Sequence, residues 1–407
     1  MITLKKYLNL KNVFYSIVLL LPLNLGKHFI IKDSYLNGVL FDYLIPTLYL
    51  QDILVLIFVI GSFIKTKRNV LLKTFEKKEF ILFLLLLLSV LVSVIFAEVK
   101  IPAIEGFLRL SIYFLFLIGA VSNFHFKDIF PVCVKLFGYS VSFLAVLALL
   151  QFSSQKSIFN NYLFFGEQPY SYSTPGVVRE SLFGLTKIPS YGTFRHPNIF
   201  GGFLSIVLIW LFAAGYYFAF ILGALALMVT FSFTSFASLV LGLTLYVLRR
   251  NRLVLFISVL LIFLLLFGSI LLPFYYEMLP DSLSLVRRAR LTHSAYTSLG
   301  DLKFIYGVGV ANGVVHIERV LPYFKETHFI QPVHNIFVNL LLEGGILAIL
   351  SFAGIIISSL KRSINNRVIL FISILQIILL GSFDHYFLDI HQTLLLLFVV
   401  FVFVWTI

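Results

Sequence analysis

An unbroken run of apolar or small residues from Phe80 to Ala97 constrains this chain more than any other stretch. Inside a bilayer no water is available to the backbone. A run of that length is therefore stable there as a helix that satisfies its own N–H and C=O groups. Comparable runs recur along the whole sequence, at roughly 12–25, 50–64, 79–97, 103–122, 129–150, 198–213, 217–231, 235–248, 253–272, 335–360, 368–383 and 392–407. The spacing predicts an all-α polytopic integral membrane protein, a single membrane domain over 1–407, with about twelve spans. Charged residues make up 12% of the chain, against roughly a quarter in soluble domains, which excludes a soluble fold. The lone cysteine, Cys133, lies in an apolar run and reads as a small core residue. No small-residue cleavage site follows the first run, so it is expected to be retained as a helix.

The net charge of +13 is distributed by position. Lys5, Lys6 and Lys11, then Lys65, Lys67, Arg68, Lys73, Lys77 and Lys78, then Lys127, Arg249, Arg250, Arg252, Lys361, Arg362 and Arg367 all fall in alternate connections. The remaining short connections carry Lys27, Lys32 and Lys100. Basic residues collect on the cytoplasmic side. The N-terminus is therefore expected inside, and the basic excess reads as an orientation signal with no nucleic-acid partner. Two long polar loops, 151–197 and 273–334, then face the periplasm or exterior of an inner (cytoplasmic) membrane. The second of these separates spans nine and ten. ATP is absent on that side, and the chain has no phosphate-cradling Gly-Lys-Ser/Thr loop, so a reaction there needs a substrate that arrives activated.

The larger loop has no evident structure of its own, and such loops tend to carry function. It contains Arg287, Arg288 and Arg290, then Gly307-Val308-Gly309, then His316, His328 and His334. Read as a helix, Arg287 and Arg290 share a face able to neutralise a diphosphate; anionic lipid headgroups would use the same charge. His334 precedes span ten, where a neutral imidazole could take a proton. Asn335 could orient that ring or cap the helix. Glu343, within the span, could face a cavity or support packing. The first loop closes on Gly192-Thr193-Phe194-Arg195-His196-Pro197-Asn198. There Asn198 is expected to cap span six, Gly201-Gly202 to allow close helix approach, and Arg195 either to bind phosphate or to snorkel at the interface. No cysteine pair or close histidine spacing suggests a metal, and no cofactor is expected.

These residues carry a resemblance. The Gly-Thr-Phe-x-x-Pro-Asn pattern at Gly192–Asn198 is similar to one in the O-antigen ligase and polymerase superfamily. So is the pattern formed by His334, Asn335, Glu343 and Gly345, together with an arginine (Arg290) ahead of Gly307–Gly309. The likeness spans roughly 192–360 specifically, and the whole chain by topology. It implies a fold like the lipid-dependent membrane glycosyltransferases. It also implies a polyprenyl-diphosphate-linked glycan donor, bound without metal, and a glycan, lipid or protein acceptor. His334 would be the catalytic base and Arg290 the large-loop arginine, with Arg195, Arg287 and Arg288 at the diphosphate and Asn198, Asn335 and Glu343 supporting. One departure stands out. Many relatives open span eight with Ser-Arg, whereas this chain has Ser235-Phe236, so Arg195 or Arg288 would have to replace that arginine. The competing reading from another class is a transporter of lipid-linked sugars, although the related halves common in transporters are not evident.

Overall fold

The computed structural model describes residues 9–75, 78–182, 184–278, 283–321 and 330–407. It is mostly helical, at 72%. Each apolar run anticipated above forms a helix. In chain order they are α1 (Leu10–Leu20), α2 (Leu50–Lys65), α3 (Arg68–Phe75), α4 (Lys78–Phe96), α5 (Lys100–Asn123), α6 (Phe126–Ser154), α7 (Pro197–Ala213), α8 (Tyr217–Met228), α9 (Phe233–Val247) and α10 (Arg252–Leu271). Then come α11 (Leu283–Ser298), α12 (Asp301–Tyr306), α13 (Gly313–Val320), α14 (Ile336–Asn366), α15 (Val368–Gly381), α16 (Tyr386–Asp389) and α17 (His391–Trp405). Among the described residues, five helices are long and apolar enough to cross a membrane: those at Glu79–Phe96, Lys100–Asn123, Phe126–Ser154, Arg252–Tyr275 and Ile336–Asn366. Among the described residues, sheet is confined to three two-stranded antiparallel pairs, β1 (Gly26–His28) with β4 (Thr47–Tyr49), β2 (Tyr35–Leu36) with β3 (Val39–Leu40), and β5 (Glu180–Leu182) with β6 (Leu185–Lys187).

Several connections are tied to one another. Asn37 reaches Glu318 (2.7 Å), Arg319 grips Glu98, and the Ser190 N–H donates to Val229 O (2.9 Å). Phe126 N–H donates to Thr406 O (3.1 Å), and the Arg362 guanidinium binds the carbonyls of Val404 and Ile407. The interior is apolar, with polar side chains as occasional glue. Trp210 Nε1 donates to Ser373 Oγ (2.8 Å), and Gln376 Nε2 to the carbonyls of Ser205 and Ser238. Phe256, Leu260, Leu264 and Phe267 on α10 remain exposed, as a lipid-facing helix requires.

The loop between α10 and α14 differs from the sequence expectation. Its described part is built of α11, α12 and α13, so it is a packed cap. Leu291, Ala295, Val308, Ile317 and Val333 form its own core against Val338 and Leu342 of α14. The arginine segment is helical, as anticipated. The two glycine motifs form one lock. Val308 N–H donates to Leu342 O (2.8 Å) and Gly309 N–H to Glu343 O (3.0 Å). Gly345 breaks α14 with φ +78°, and a Cβ there would lie 2.3 Å from Ile305 O; one on Gly307 would lie 2.4 Å from Glu343 O. Backbone meets backbone at this point, which only glycine allows. The Ser89 hydroxyl of α4 adds a bond to Gly344 O (2.8 Å).

Candidate functional site

His334 sits at the entrance to α14, and its neighbour fixes it. Asn335 caps the helix by accepting from the N–H groups of Phe337 (2.9 Å) and Val338 (3.1 Å). Its amide also donates to Ser269 Oγ of α10 (2.9 Å) and to Ser382 O (3.3 Å). One asparagine thus ties three helices together beside the histidine. His334 Nδ1 is buried and, among the described residues, has no hydrogen-bond partner.

The His334 ring meets His385 edge-on, with centroids 5.2 Å apart. His385 belongs to the connection between α15 and α17. Its Nδ1–H donates to Asp389 Oδ2 (2.8 Å), four residues on, while Nε2 lies 3.8 Å from Asp384 Oδ1. Asp389 is steadied in turn by the Asn339 amide of α14 (3.3 Å). A carboxylate on Nδ1 orients the ring and turns Nε2 toward Asp384. Gly202 completes the placement: a Cβ there would lie 2.2 Å from the Tyr386 hydroxyl, so its absence lets α16 seat against α7.

Charge and burial divide the labour within this cluster. Burial lowers His334 to about 3, with the charges of His385 and Arg288 adding to the effect and Asp384 opposing it. The ring is therefore neutral at working pH, with a free acceptor nitrogen. Burial opposes protonation of His385, yet its hydrogen bond and proximity to Asp389 hold it above its ordinary value. Burial would raise Asp384, but His334, His385 and Arg288 together keep it below the usual carboxylate range. His196 is lowered to about 4, chiefly by burial.

The structure redistributes several anticipated roles. Asn198 does not cap α7: His196 does, its Nδ1 accepting from the Asn198 N–H (3.1 Å), because Pro197 fills the first helical position and lacks an N–H. Arg195 forms an ion pair with Asp42 (3.0 Å), so its charge is already matched. Arg287, Arg288 and Arg290 all lie on α11, and Arg288 is the arginine whose charge bears on Asp384, His334 and His196. Glu343 is buried and accepts from the Gly313 N–H (3.3 Å). His316 is taken up by Glu98 (3.3 Å) and Lys303 (3.3 Å), away from His334. His328 lies outside the described residues. Ser235 supports Ser232 (2.8 Å), and Phe236 is exposed.

Sequence spacing suggested no metal-ligand set, but the fold brings three candidate ligands together. His334, Asp384 and His385 each offer one ligand atom, all within 4.8 Å of one another.

A cavity of about 110 Å³ adjoins the cluster. Asp42, Tyr43, Glu105, Arg109, Glu343 and Asp389 lie in its wall, with Arg195 beside them. Arg109 is bound by Asp52 (3.2 Å) and by Glu105, and its guanidinium lies 5.2 Å from the centre of the Tyr49 ring. Tyr43 meets His385 edge-on at 5.6 Å. Sequence reasoning missed Asp42, Tyr43, Arg109, Asp384, His385 and Asp389. The signal for the last three was their density, with His and Asp one helical turn apart in a short connection between two apolar runs.

Compared with protein-family models and with curated proteins, the chain matches none of them.

Proposed function

We propose that the protein is a membrane glycosyltransferase of the O-antigen ligase or polymerase type, with about twelve spans and its site on the periplasmic or exterior face. The observation carrying this reading is the convergence of His334, His385–Asp389 and Asp384 with Arg288 at one end of the bundle. This pairs a proton acceptor with a fixed cation where an amphiphilic donor would place its diphosphate.

In the proposed reaction an acceptor hydroxyl attacks the anomeric carbon of a polyprenyl-diphosphate-linked glycan. The new glycosidic C–O bond forms as the bond to the diphosphate breaks, and polyprenyl diphosphate leaves. The hydroxyl proton passes to His334, which is neutral and has a free nitrogen. The negative donor, once bound, raises the ring's affinity for that proton. Asp384, whose charge favours the protonated ring, steadies the resulting imidazolium, and His385 is held beside it by Asp389. Arg288, with Arg287 and Arg290 on the same helix, offsets the charge of the leaving diphosphate. Arginine serves this purpose without a metal ion. The acceptor is a glycan, a lipid or a protein.

Replacement of the chromosomal copy by His334→Ala tests the reading in cells. The lipid-linked donor should accumulate and the finished glycan disappear. Normal glycan and normal donor levels would refute it.

A further inference from the structure

The cavity between the α1–α2 connection, α5 and α14 has a composition that the transfer reaction alone does not explain. Both of its arginines are spoken for, Arg195 by Asp42 and Arg109 by Asp52 and Glu105. Glu343 and Asp389 add two more carboxyl groups to the wall. A phosphate group would bring only acceptors and negative charge to such a place. A saccharide brings hydroxyl donors, which carboxylates accept, and C–H faces, which suit Val310, Val314 and Leu388 in the same wall. The volume is about 110 Å³, and one water needs about 10–15 Å³ by this measure, so the space suits one sugar ring better than a chain. Asp389 belongs to both places: it lines the cavity and holds His385 at 2.8 Å. Tyr43 likewise faces the cavity and meets the His385 ring. A hydroxyl projecting from the cavity therefore points toward the imidazoles, and Arg288 acts on the same cluster from α11.

We propose that this cavity is the acceptor subsite and that it takes the terminal sugar of a glycan in preference to a phosphorylated lipid. The inference rests on the glycosyltransferase reading and makes the site two-sided. The diphosphate lies along α11, and the acceptor sugar lies among the carboxylates.

Protection of single cysteines tests it. Leu388→Cys and Val310→Cys each place a thiol in the cavity wall, and the native Cys133 is buried. Labelling by a small methanethiosulfonate would be followed in lipid-reconstituted protein. Two probes are compared, inorganic diphosphate and the phosphate-free oligosaccharide that mild acid releases from the host's lipid-linked glycan. Labelling of an unoccupied site slows as 1 + [L]/Kd, so about nine times Kd gives about tenfold protection. The oligosaccharide should protect both thiols and diphosphate neither. Protection by diphosphate alone, or by neither probe, would overturn the assignment. Protection by the oligosaccharide in a protein whose His334→Ala form still supports normal glycan would leave the cavity a saccharide site and remove the transferase reading instead.

Discussion

His334 and His385 meet edge to face with ring centres 5.2 Å apart, although they enter the site from opposite ends of the α14–α15 hairpin. That contact makes the cluster a shared product of the large loop and the last short connection. It also makes specific demands on variants.

Removing a general base typically costs about 10²–10⁴-fold in rate. His334→Ala should lose turnover in that range, and His385→Ala and Asp389→Asn should each lose a substantial part of it, with donor affinity retained. His316→Ala, at the Glu98 and Lys303 contact, should keep near-normal turnover. Kinetics of the four variants in one lipid preparation decide the matter. A silent His334→Ala would show that the proton goes elsewhere.

Arg288→Ala should raise the donor KM by about 10- to 100-fold, as expected for loss of a charge-assisted contact of about 1.5–3 kcal/mol. Arg290→Ala should do less, reversing the order that the sequence suggested. Donor titrations of both variants check this. Equal effects would mean that α11 presents the two arginines alike.

Gly345→Ala should destabilise the fold. The left-handed backbone alone costs about 1–3 kcal/mol for a residue with a side chain, and the new Cβ would press on Ile305 O. A lowered thermal midpoint in detergent is expected, with Gly344→Ala as comparison. An unchanged midpoint would mean that the loop–helix lock is not a stabilising contact.

The helices were legible because hydrophobic period and length survive any tertiary arrangement. Every apolar run became one, and the arginines of the large loop did fall on a helix. The site was legible only in part. His334 and Asn335 stood out beside a span, and Asn335 caps α14 as expected. Asp384, His385 and Asp389 fall between the last two apolar runs, and nothing local in that connection says that it folds back onto the start of α14. The ion pair of Arg195 was not legible for the same reason: its partner Asp42 lies in a distant connection. The Gly-Val-Gly and Glu-x-Gly patterns, far apart in sequence, meet as a backbone joint that leaves Glu343 at the cavity wall.

Orientation can be probed at two exposed positions, Ser173 in the first long loop and Thr297 on α11. Ser298, its neighbour, is buried against His316 O and unsuited to labelling. Cysteines at both positions should react with a membrane-impermeant thiol reagent in cells whose outer barrier has been permeabilised. Reaction only after lysis would invert the topology and place the site in the cytoplasm.

The most direct measurement uses purified protein in lipid vesicles with a labelled polyprenyl-diphosphate glycan and glycan acceptors, with and without a chelator. The account predicts a new glycosidic bond, one polyprenyl diphosphate released per bond, and the same rate in the chelator. Loss of activity in the chelator, restored by zinc or manganese, would assign His334, Asp384 and His385 to a metal instead. Movement of the intact lipid-linked sugar across the bilayer with no bond formed would contradict the account outright.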